Sequence, residues 1–207
     1  MACRSVLNVE KMLTGSLGRL RNIKRFSNSF RVSEESVAEH SFYTTFYAML
    51  IAQDLARFTD GPRPNILMAL QKAIVHDVEE SHSGDFIRMF KHSCPDLKRA
   101  IDRAGEVFAG KVFSELSKGD ALNLAEYWRT AKNEKLSGRI VSLADFLSVL
   151  AYVGGECRRG NRAILEDSRD SLKEYMRKFS GTSYDPLRIY VKASQKFLSN
   201  LLSGGSR

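Results

Sequence analysis

This 207-residue chain has few cysteines, no long apolar run and no alternating pattern of the kind that forms β-strands. Its three cysteines, Cys3, Cys94 and Cys157, are odd in number and lack the close pairing of a zinc site. Reduced thiols in the cytoplasm are the natural interpretation. No apolar stretch is long enough to indicate a membrane span, and residues 1–5 lack the apolar core of a signal peptide. We therefore expect a cytoplasmic protein without membrane contact.

Helical patterns fill the chain, and no repeat or low-complexity tract interrupts them. Ser36 and Glu39 form the sequence of a capping box, which predicts a helix from residue 36 to about residue 56. Further helices are expected at residues 65–80, 86–92, 93–113, 122–132 and 136–153, with a last one opening at Asp185-Pro186. The expected fold class is all-α, a bundle of roughly seven to nine helices. We expect one domain over residues 1–202 and a flexible tail over 203–207.

The charge is strongly positive, with a formal net charge of +8 and a pI near 9.5. An excess of this sign indicates an acidic partner, either a nucleic acid or a nucleotide with several phosphates. The cluster Arg19, Arg21, Lys24, Arg25 and Arg31 precedes His40. It is either a solvated helix face or a rim that draws phosphate toward a site at His40.

Four candidate metal ligands stand out: His40, His76, Asp77 and Asp145. Two imidazoles and two carboxylates suit a divalent transition metal, and a metal held this way would turn water into a nucleophile near neutral pH. Asp145 lies within the most apolar predicted helix, where an unpaired carboxylate would be expensive. The alternative is a core aspartate that binds a helix end or an arginine. In a helix, Glu80 would share one side with His76 and Asp77 and could handle protons beside the metal.

The order His40, His76-Asp77, Asp145 resembles the signature of the HD-domain metal-dependent phosphohydrolases. The chain is closer still to the bacterial 5′-deoxynucleotidase branch, which includes the phage dATP triphosphohydrolases. This similarity rests on five segments spread over roughly residues 20 to 150. They are Ile23-Lys24-Arg25-Phe26, Glu35-Ser36-Val37-Ala38-Glu39-His40-Ser41, His76-Asp77-Val78-Glu79-Glu80, Gly84-Asp85 and Leu143-Ala144-Asp145.

The resemblance implies an HD-domain helical bundle and a role for each matched residue. The metal would be held by His40, His76, Asp77 and Asp145. Arg25 would orient the phosphate, Glu80 would work with the attacking water, and Asp85 through Arg88 would contact the nucleotide. Lys91, one turn beyond Arg88, is either a further phosphate ligand or a plain surface lysine.

Phe26 departs from the family, whose members usually carry tryptophan after that arginine, close to C2′ of the sugar. A phenyl ring fills less space than an indole. We still expect preference for deoxyribose.

The function expected from the resemblance is hydrolysis of the 5′-phosphoester of 2′-deoxynucleotides, releasing the deoxynucleoside with phosphate or triphosphate. The cofactor would be a divalent metal, with Co²⁺, Mn²⁺ or Zn²⁺ favoured and room for further Mg²⁺, Mn²⁺ or Co²⁺ on the phosphates. We expect a homodimer or higher homo-oligomer in the bacterial cytoplasm, or in the host cytoplasm if a phage encodes it, and no stable nucleic-acid complex.

Two alternatives stay open at the level of sequence. One is an HD phosphohydrolase of cyclic nucleotides or guanosine polyphosphates, although the Arg25-Phe26 segment argues against it. The other is a non-enzymatic nucleic-acid-binding protein, suggested by the pI. It lacks support from a helix-turn-helix signal or zinc-finger spacing.

Overall fold

The structure, a computed structural model, describes residues 7–58, 61–118, 122–179 and 186–204. Within those ranges it is all-α, as predicted. The helices are α1 (Val9–Thr14), a 3₁₀ helix (Ser16–Arg21), α2 (Val37–Phe58), α3 (Ile66–Val75), α4 (Glu80–Ser83), α5 (Arg88–Lys91), α6 (Pro95–Leu116), α7 (Leu124–Arg129), α8 (Leu136–Arg158), α9 (Ala163–Phe179) and α10 (Arg188–Leu202).

The main core forms where α2, α3 and α8 pack together, with α9 and α10 covering α8. Its largest fully buried side chains include Leu55, Ile140, Leu143 and Phe146. A smaller cluster joins the end of α3 to α6 and α7 around Val112. The candidate site lies at the junction of the two clusters, which places its polar groups on a rigid base.

The predicted capping box opens α2. The Ser36 backbone N–H and hydroxyl both donate to Glu39 Oε2 at 2.7 Å, and the Glu39 N–H donates to Ser36 Oγ at 3.2 Å. The box satisfies backbone donors that the first turn leaves open. It thereby fixes the start of the helix that carries His40.

Two predicted helix ends were wrong, and α1, the 3₁₀ helix and α9 were not predicted. The helix expected over 65–80 ends at Val75, because the chain then turns through i→i+3 hydrogen bonds such as Val78 N–H to Val75 O. The helix expected to stop at Gly154-Gly155 continues to Arg158. A Cβ on Gly154 would lie 2.9 Å from the Phe197 ring, so this glycine allows α10 to approach closely.

Helix α8 is also long and apolar enough to span a membrane by length and composition alone, contrary to the sequence expectation. However, 67% of the relevant window is buried inside this chain, as in the core helix of a soluble protein. The single domain over residues 1–202 stays a prediction. Of the predicted tail, Ser203 and Gly204 form a turn, and residues 205–207, like Asp185, lie outside the described residues.

Candidate metal centre and nucleotide cavity

The four predicted metal ligands come from three helical segments that meet in the core. His40 lies in the first turn of α2, His76 and Asp77 directly follow α3, and Asp145 lies in the middle of α8. Ligand atoms of His40, His76 and Asp77 all lie within 4.8 Å of one another. Asp145 joins them through His40, whose Nε2 is 3.1 Å from Asp145 Oδ1.

Hydrogen bonding fixes the tautomer of His76. Its Nδ1 lies 2.7 Å from the Ala73 carbonyl oxygen, which can only accept, so Nδ1 carries the proton. In the neutral ring, Nε2 then presents a lone pair to Asp77 Oδ2 at 2.9 Å. Two acceptors at this distance repel unless a cation stands between them.

His40 has a similar environment. Its Nδ1 lies 3.0 Å from Ser148 Oγ, a hydroxyl that can donate or accept, and its Nε2 lies 3.1 Å from Asp145 and 3.5 Å from Asp77. Burial, reinforced by Arg25, lowers the pKa of His40 to about 4, so the ring is neutral at pH 7. The Nε2 atoms of His40 and His76 are both buried without a hydrogen-bond partner. These unpartnered nitrogens beside two carboxylates fit a divalent metal.

Lys132 and Tyr175, neither of them predicted from the sequence, contact the other oxygen of Asp145. Lys132 Nζ lies 2.7 Å from Asp145 Oδ2 and 3.8 Å from Asp77 Oδ1, and the Tyr175 hydroxyl donates to Asp145 Oδ2 at 3.2 Å. Although burial opposes ionisation, the charge of Lys132 holds the pKa of Asp145 well below its usual range. Asp145 is therefore a carboxylate with one oxygen tied to protein donors and the other turned toward His40.

Arg25 stands at the edge of this centre. Its guanidinium is 3.0 Å from Glu35 and 3.8 Å from Asp85, and its carbonyl oxygen accepts from Arg31 Nη1 at 2.7 Å. The neighbouring Phe26 has a φ of 53°, a left-handed conformation that is rare for a bulky residue. Such strain persists only where the surroundings hold the residue in place.

A cavity of about 540 Å³ opens beside the candidate metal ligands Asp77 and Asp145, a volume suited to a small-molecule ligand. Every residue predicted for catalysis or substrate binding lines it: Arg25, Phe26, Glu80, Asp85, Arg88 and Lys91. Lys98, Lys132 and Lys178 add positive charge to the same walls. The cavity therefore places basic side chains beside the candidate metal ligands, and its lining also includes Asp167 and Glu174.

Two of these side chains have distinctive surroundings. Glu80 is half-buried, its Oε2 is buried without a hydrogen-bond partner, and burial raises its pKa well above the usual range. Arg88 pairs with Glu174 at 3.2 Å and lies over the Tyr175 ring at 4.1 Å. Helix α9, which the sequence did not predict, therefore forms one wall of the cavity.

Trp128 and His82 do not line this cavity, whereas His92 does. Trp128 Nε1 donates to Glu79 at 2.6 Å. His82 stacks on Phe108. His92 follows α5.

Comparison with known proteins gives a consistent result. The profile of the YfbR-like 5′-deoxynucleotidase family matches residues 13–193. The 5′-deoxynucleotidase PM0747 of Pasteurella multocida (strain Pm70) is 25% identical over 176 residues, which are 85% of this chain and 88% of that protein.

Several solved structures share the fold. An HD-domain phosphohydrolase of Listeria innocua matches with a TM-score of 0.69 and 22% identity over 94% of this chain and 86% of that one. The PH0347 protein of Pyrococcus horikoshii OT3 matches with a TM-score of 0.72 and 21% identity over 92% and 99%. The cyanophage S-2L HD phosphohydrolase DatZ, solved with dA and one catalytic Zn²⁺, matches with a TM-score of 0.61 and 16% identity over 92% and 96%.

The resemblance inferred from the motifs is thereby confirmed, and the expectation of an enzyme with it. The family match covers most of the chain, and its His/Asp cluster fits a divalent metal. This chain belongs to the YfbR-like 5′-deoxynucleotidase family and is an HD-domain, metal-dependent phosphohydrolase that acts on deoxynucleotides at the 5′-phosphoester.

Proposed function

We propose that the chain hydrolyses deoxynucleoside monophosphates to the 2′-deoxynucleoside and phosphate. We propose that it also hydrolyses deoxynucleoside triphosphates, dATP among them, to the 2′-deoxynucleoside and intact triphosphate. The observation that carries the proposal is the pair of orphaned imidazole Nε2 atoms facing Asp77 and Asp145 at the floor of a cavity with basic walls. The likeness to DatZ, whose structure holds dA, supports adenine among the bases.

The proposed metal ligands are His40, His76, Asp77 and Asp145. When bound, the metal supplies a Lewis acid and lowers the pKa of water toward neutrality. Zn²⁺, Co²⁺ and Mn²⁺ all suit this mixed donor set. We propose Zn²⁺ first because the DatZ structure contains it, with further Mg²⁺, Mn²⁺ or Co²⁺ on the phosphates of a triphosphate.

Arg25 and Lys132 act on the phosphate charge. Arg25 is always protonated and presents a planar fork that matches two phosphate oxygens. Lys132, already paired with Asp145 at 2.7 Å, lies where negative charge grows on the phosphoryl oxygens. Preorganised cations of this kind stabilise the transition state more than the ground state.

Glu80 is the proposed general acid–base group. Its orphaned Oε2 faces the same cavity as Arg25 and Asp77, so it can orient the attacking water and accept a proton from it. The 5′-oxygen of the nucleoside leaves from the opposite side of the phosphorus and takes up a proton from Glu80 or from solvent.

Substrate selection falls to the remaining lining residues. Asp85 and Arg88 would bind the sugar end, and the Phe26 ring would occupy space beside C2′. Lys91 is proposed as a ligand of the outer phosphates, together with Lys98 and Lys178, which line the same cavity. These cations favour acceptance of triphosphates as well as monophosphates.

We also propose a cytoplasmic homodimer that forms no stable complex with nucleic acid or membrane. Phe42, Phe46 and Leu50 expose 60%, 44% and 47% of their surface along one face of α2, an apolar stripe of a type common at interfaces. Light scattering of the purified protein should give about twice the 23.3 kDa of one chain. A monomer at all concentrations would contradict this part of the proposal.

Product analysis by chromatography tests the activity. Metal-loaded protein is incubated with each dNMP, each dNTP and ATP, beside an Asp77→Ala control. Deoxynucleoside with phosphate or with intact triphosphate is expected, and the control should be inactive. Absence of turnover, or turnover that the control shares, would reject the proposal. Cyclic nucleotides and guanosine polyphosphates would then be the next substrates to test.

A further inference from the structure

The loop that carries Arg25 and Phe26 is held by hydrogen bonds at its base and at its tip. At its base, the Arg25 N–H donates to Glu35 O at 2.9 Å and the Val37 N–H donates to Ile23 O at 3.0 Å. At its tip, residues 30–33 lie against the C-terminal part of α8. The cavity wall formed by Phe26, Ser27, Asn28 and Ser29 lies between these two attachments.

Glu156 is the centre of the attachment at the tip. This glutamate is fully buried at 0% exposure, and its carboxylate accepts from Val32 N–H at 2.7 Å, Ser33 N–H at 2.9 Å and Ser33 Oγ at 2.7 Å. Asn161 Nδ2 donates to Glu156 at 2.7 Å and also to Phe30 O at 2.9 Å. These partners are all donors, so the site is built for a carboxylate.

Tyr152 links this attachment to the cavity. It lies one helical turn before Glu156, and its hydroxyl donates to Ser33 O at 2.7 Å. Its ring stacks on the Phe26 ring, with centroids 4.8 Å apart and planes inclined by 18°. One side chain therefore holds both the tip of the loop and the aromatic ring that faces the cavity.

We propose that Glu156, Asn161 and Tyr152 form a clamp whose role is to position Phe26 and thereby set nucleotide affinity and sugar discrimination. These three are positioning residues, because their hydrogen bonds reach the loop and not the candidate metal ligands. The strained φ of Phe26, 53°, supports this role, since a bulky residue in that conformation needs surroundings that hold it. The proposal rests on the proposed nucleotide hydrolysis for its kinetic consequences only.

Two tyrosine variants form a matched pair for the test. Tyr152→Phe removes the hydroxyl that binds Ser33 O and leaves the ring, whereas Tyr190→Phe removes a hydroxyl that binds Asp54, away from the cavity. For Tyr152→Phe we expect the KM for dNMPs to rise about three- to tenfold, the size of one neutral hydrogen bond. The preference for deoxy- over ribonucleotides should fall, and kcat should stay within about twofold.

The control should keep the KM, the kcat and the sugar preference of the wild type. Unchanged KM and sugar preference in Tyr152→Phe, or equal changes in both variants, would overturn the proposal. Kinetics that change through kcat alone would also overturn it, because a misplaced binding wall acts first on affinity.

A second measurement does not depend on catalysis. In Glu156→Gln, the new amide group would point N–H atoms at partners that are donors, so the amides of Val32 and Ser33 should exchange their hydrogens faster. Asn161→Ala serves in its place if that variant fails to fold. Wild-type exchange rates in the variant would reject the clamp. A wild-type enzyme that hydrolyses no nucleotide would reject the proposed function and leave the exchange result to judge the clamp.

Discussion

Asp145 and Glu156 are two buried carboxylates on the same helix, about three turns apart, with 3% and 0% of their surfaces exposed. Glu156 is surrounded by donors from Val32, Ser33 and Asn161. Asp145 has donors on one oxygen only, and its other oxygen faces His40 Nε2, which has no hydrogen-bond partner.

The difference separates a structural group from a chemical one. A buried carboxylate costs little when protein donors satisfy it. Although burial opposes ionisation, the hydrogen bonds from Ser33, Val32 and Asn161 hold the pKa of Glu156 near 2. The Oδ1 atom of Asp145 instead faces His40 Nε2, which has no hydrogen-bond partner, an arrangement that a bound cation would stabilise. The first pattern fastens a loop, and the second holds a reactive centre.

The largest expected effect comes from neutralising the chemical carboxylate. Asp145→Asn should lower kcat/KM by at least about a thousandfold, because the metal loses an anionic ligand. Asp54→Asn, on α2 away from the cavity, is the control and should retain activity. Steady-state assays at saturating metal make the measurement, and an active Asp145→Asn enzyme would break the comparison.

The next effect separates proton handling from metal binding. Glu80→Gln keeps the shape of the side chain and removes its basicity, so kcat should fall about 10²- to 10⁴-fold. The metal content should remain that of the wild type. A variant with normal kcat would show that Glu80 only lines the cavity.

Substitution of Glu156 should change how the free energy of unfolding depends on pH and should leave metal binding unchanged. Its pKa of about 2 in the folded chain lies below its ordinary value of 4.5, so its stabilisation is present above pH 4.5 and is lost as the pH falls toward 2. Glu156→Gln should lower the free energy of unfolding at pH 7 by up to about 3 kcal/mol, and this difference should shrink below pH 4.5. Denaturant unfolding across pH tests it, and a gap that is constant with pH would contradict the assignment.

Lys72 offers the smallest effect and extends the comparison to a cation. Only 2% exposed, it donates to Thr130 O at 2.8 Å and so supports the turn that carries Lys132. Lys72→Met should cost about 1–2 kcal/mol of stability, because it removes this buried hydrogen bond, and should lower kcat less than tenfold. Thermal unfolding measured beside kinetics would reveal a larger catalytic loss, which would place Lys72 in the site.

The sequence predicted the parts of the molecule whose signals are local. The capping box of α2 and the all-α class depend on short spacings, and the structure contains both. The metal-ligand set spans distant positions and came from the resemblance to a family; the structure brings these side chains together, and their role as ligands stays a prediction. The features that the sequence did not predict depend on contacts between distant segments. Gly154 ends no helix, because its missing side chain serves the approach of Phe197.

Helix α9 shows a signal that was present and overlooked. Its buried residues Leu165, Ser168, Leu172 and Met176 recur at helical spacing, although charged residues dominate the segment. With α9 missing, Tyr175 could not be placed. Lys132 left no local signal, since its partner Asp145 comes from another helix. The sequence analysis expected Asp145 to need a partner, either a metal shared with the histidines or a helix end or arginine, and a lysine was not among these.

The central claim is that Asp145 and the histidines beside it bind a divalent metal, whereas Glu156, surrounded by donors, does not. Dialysis against Zn²⁺ followed by elemental analysis tests this directly, on the wild type, Asp145→Asn and Glu156→Gln. We predict about one tightly held ion per chain in the wild type and in Glu156→Gln, and a large loss in Asp145→Asn. Equal metal content in all three proteins, or none in the wild type, would contradict the account.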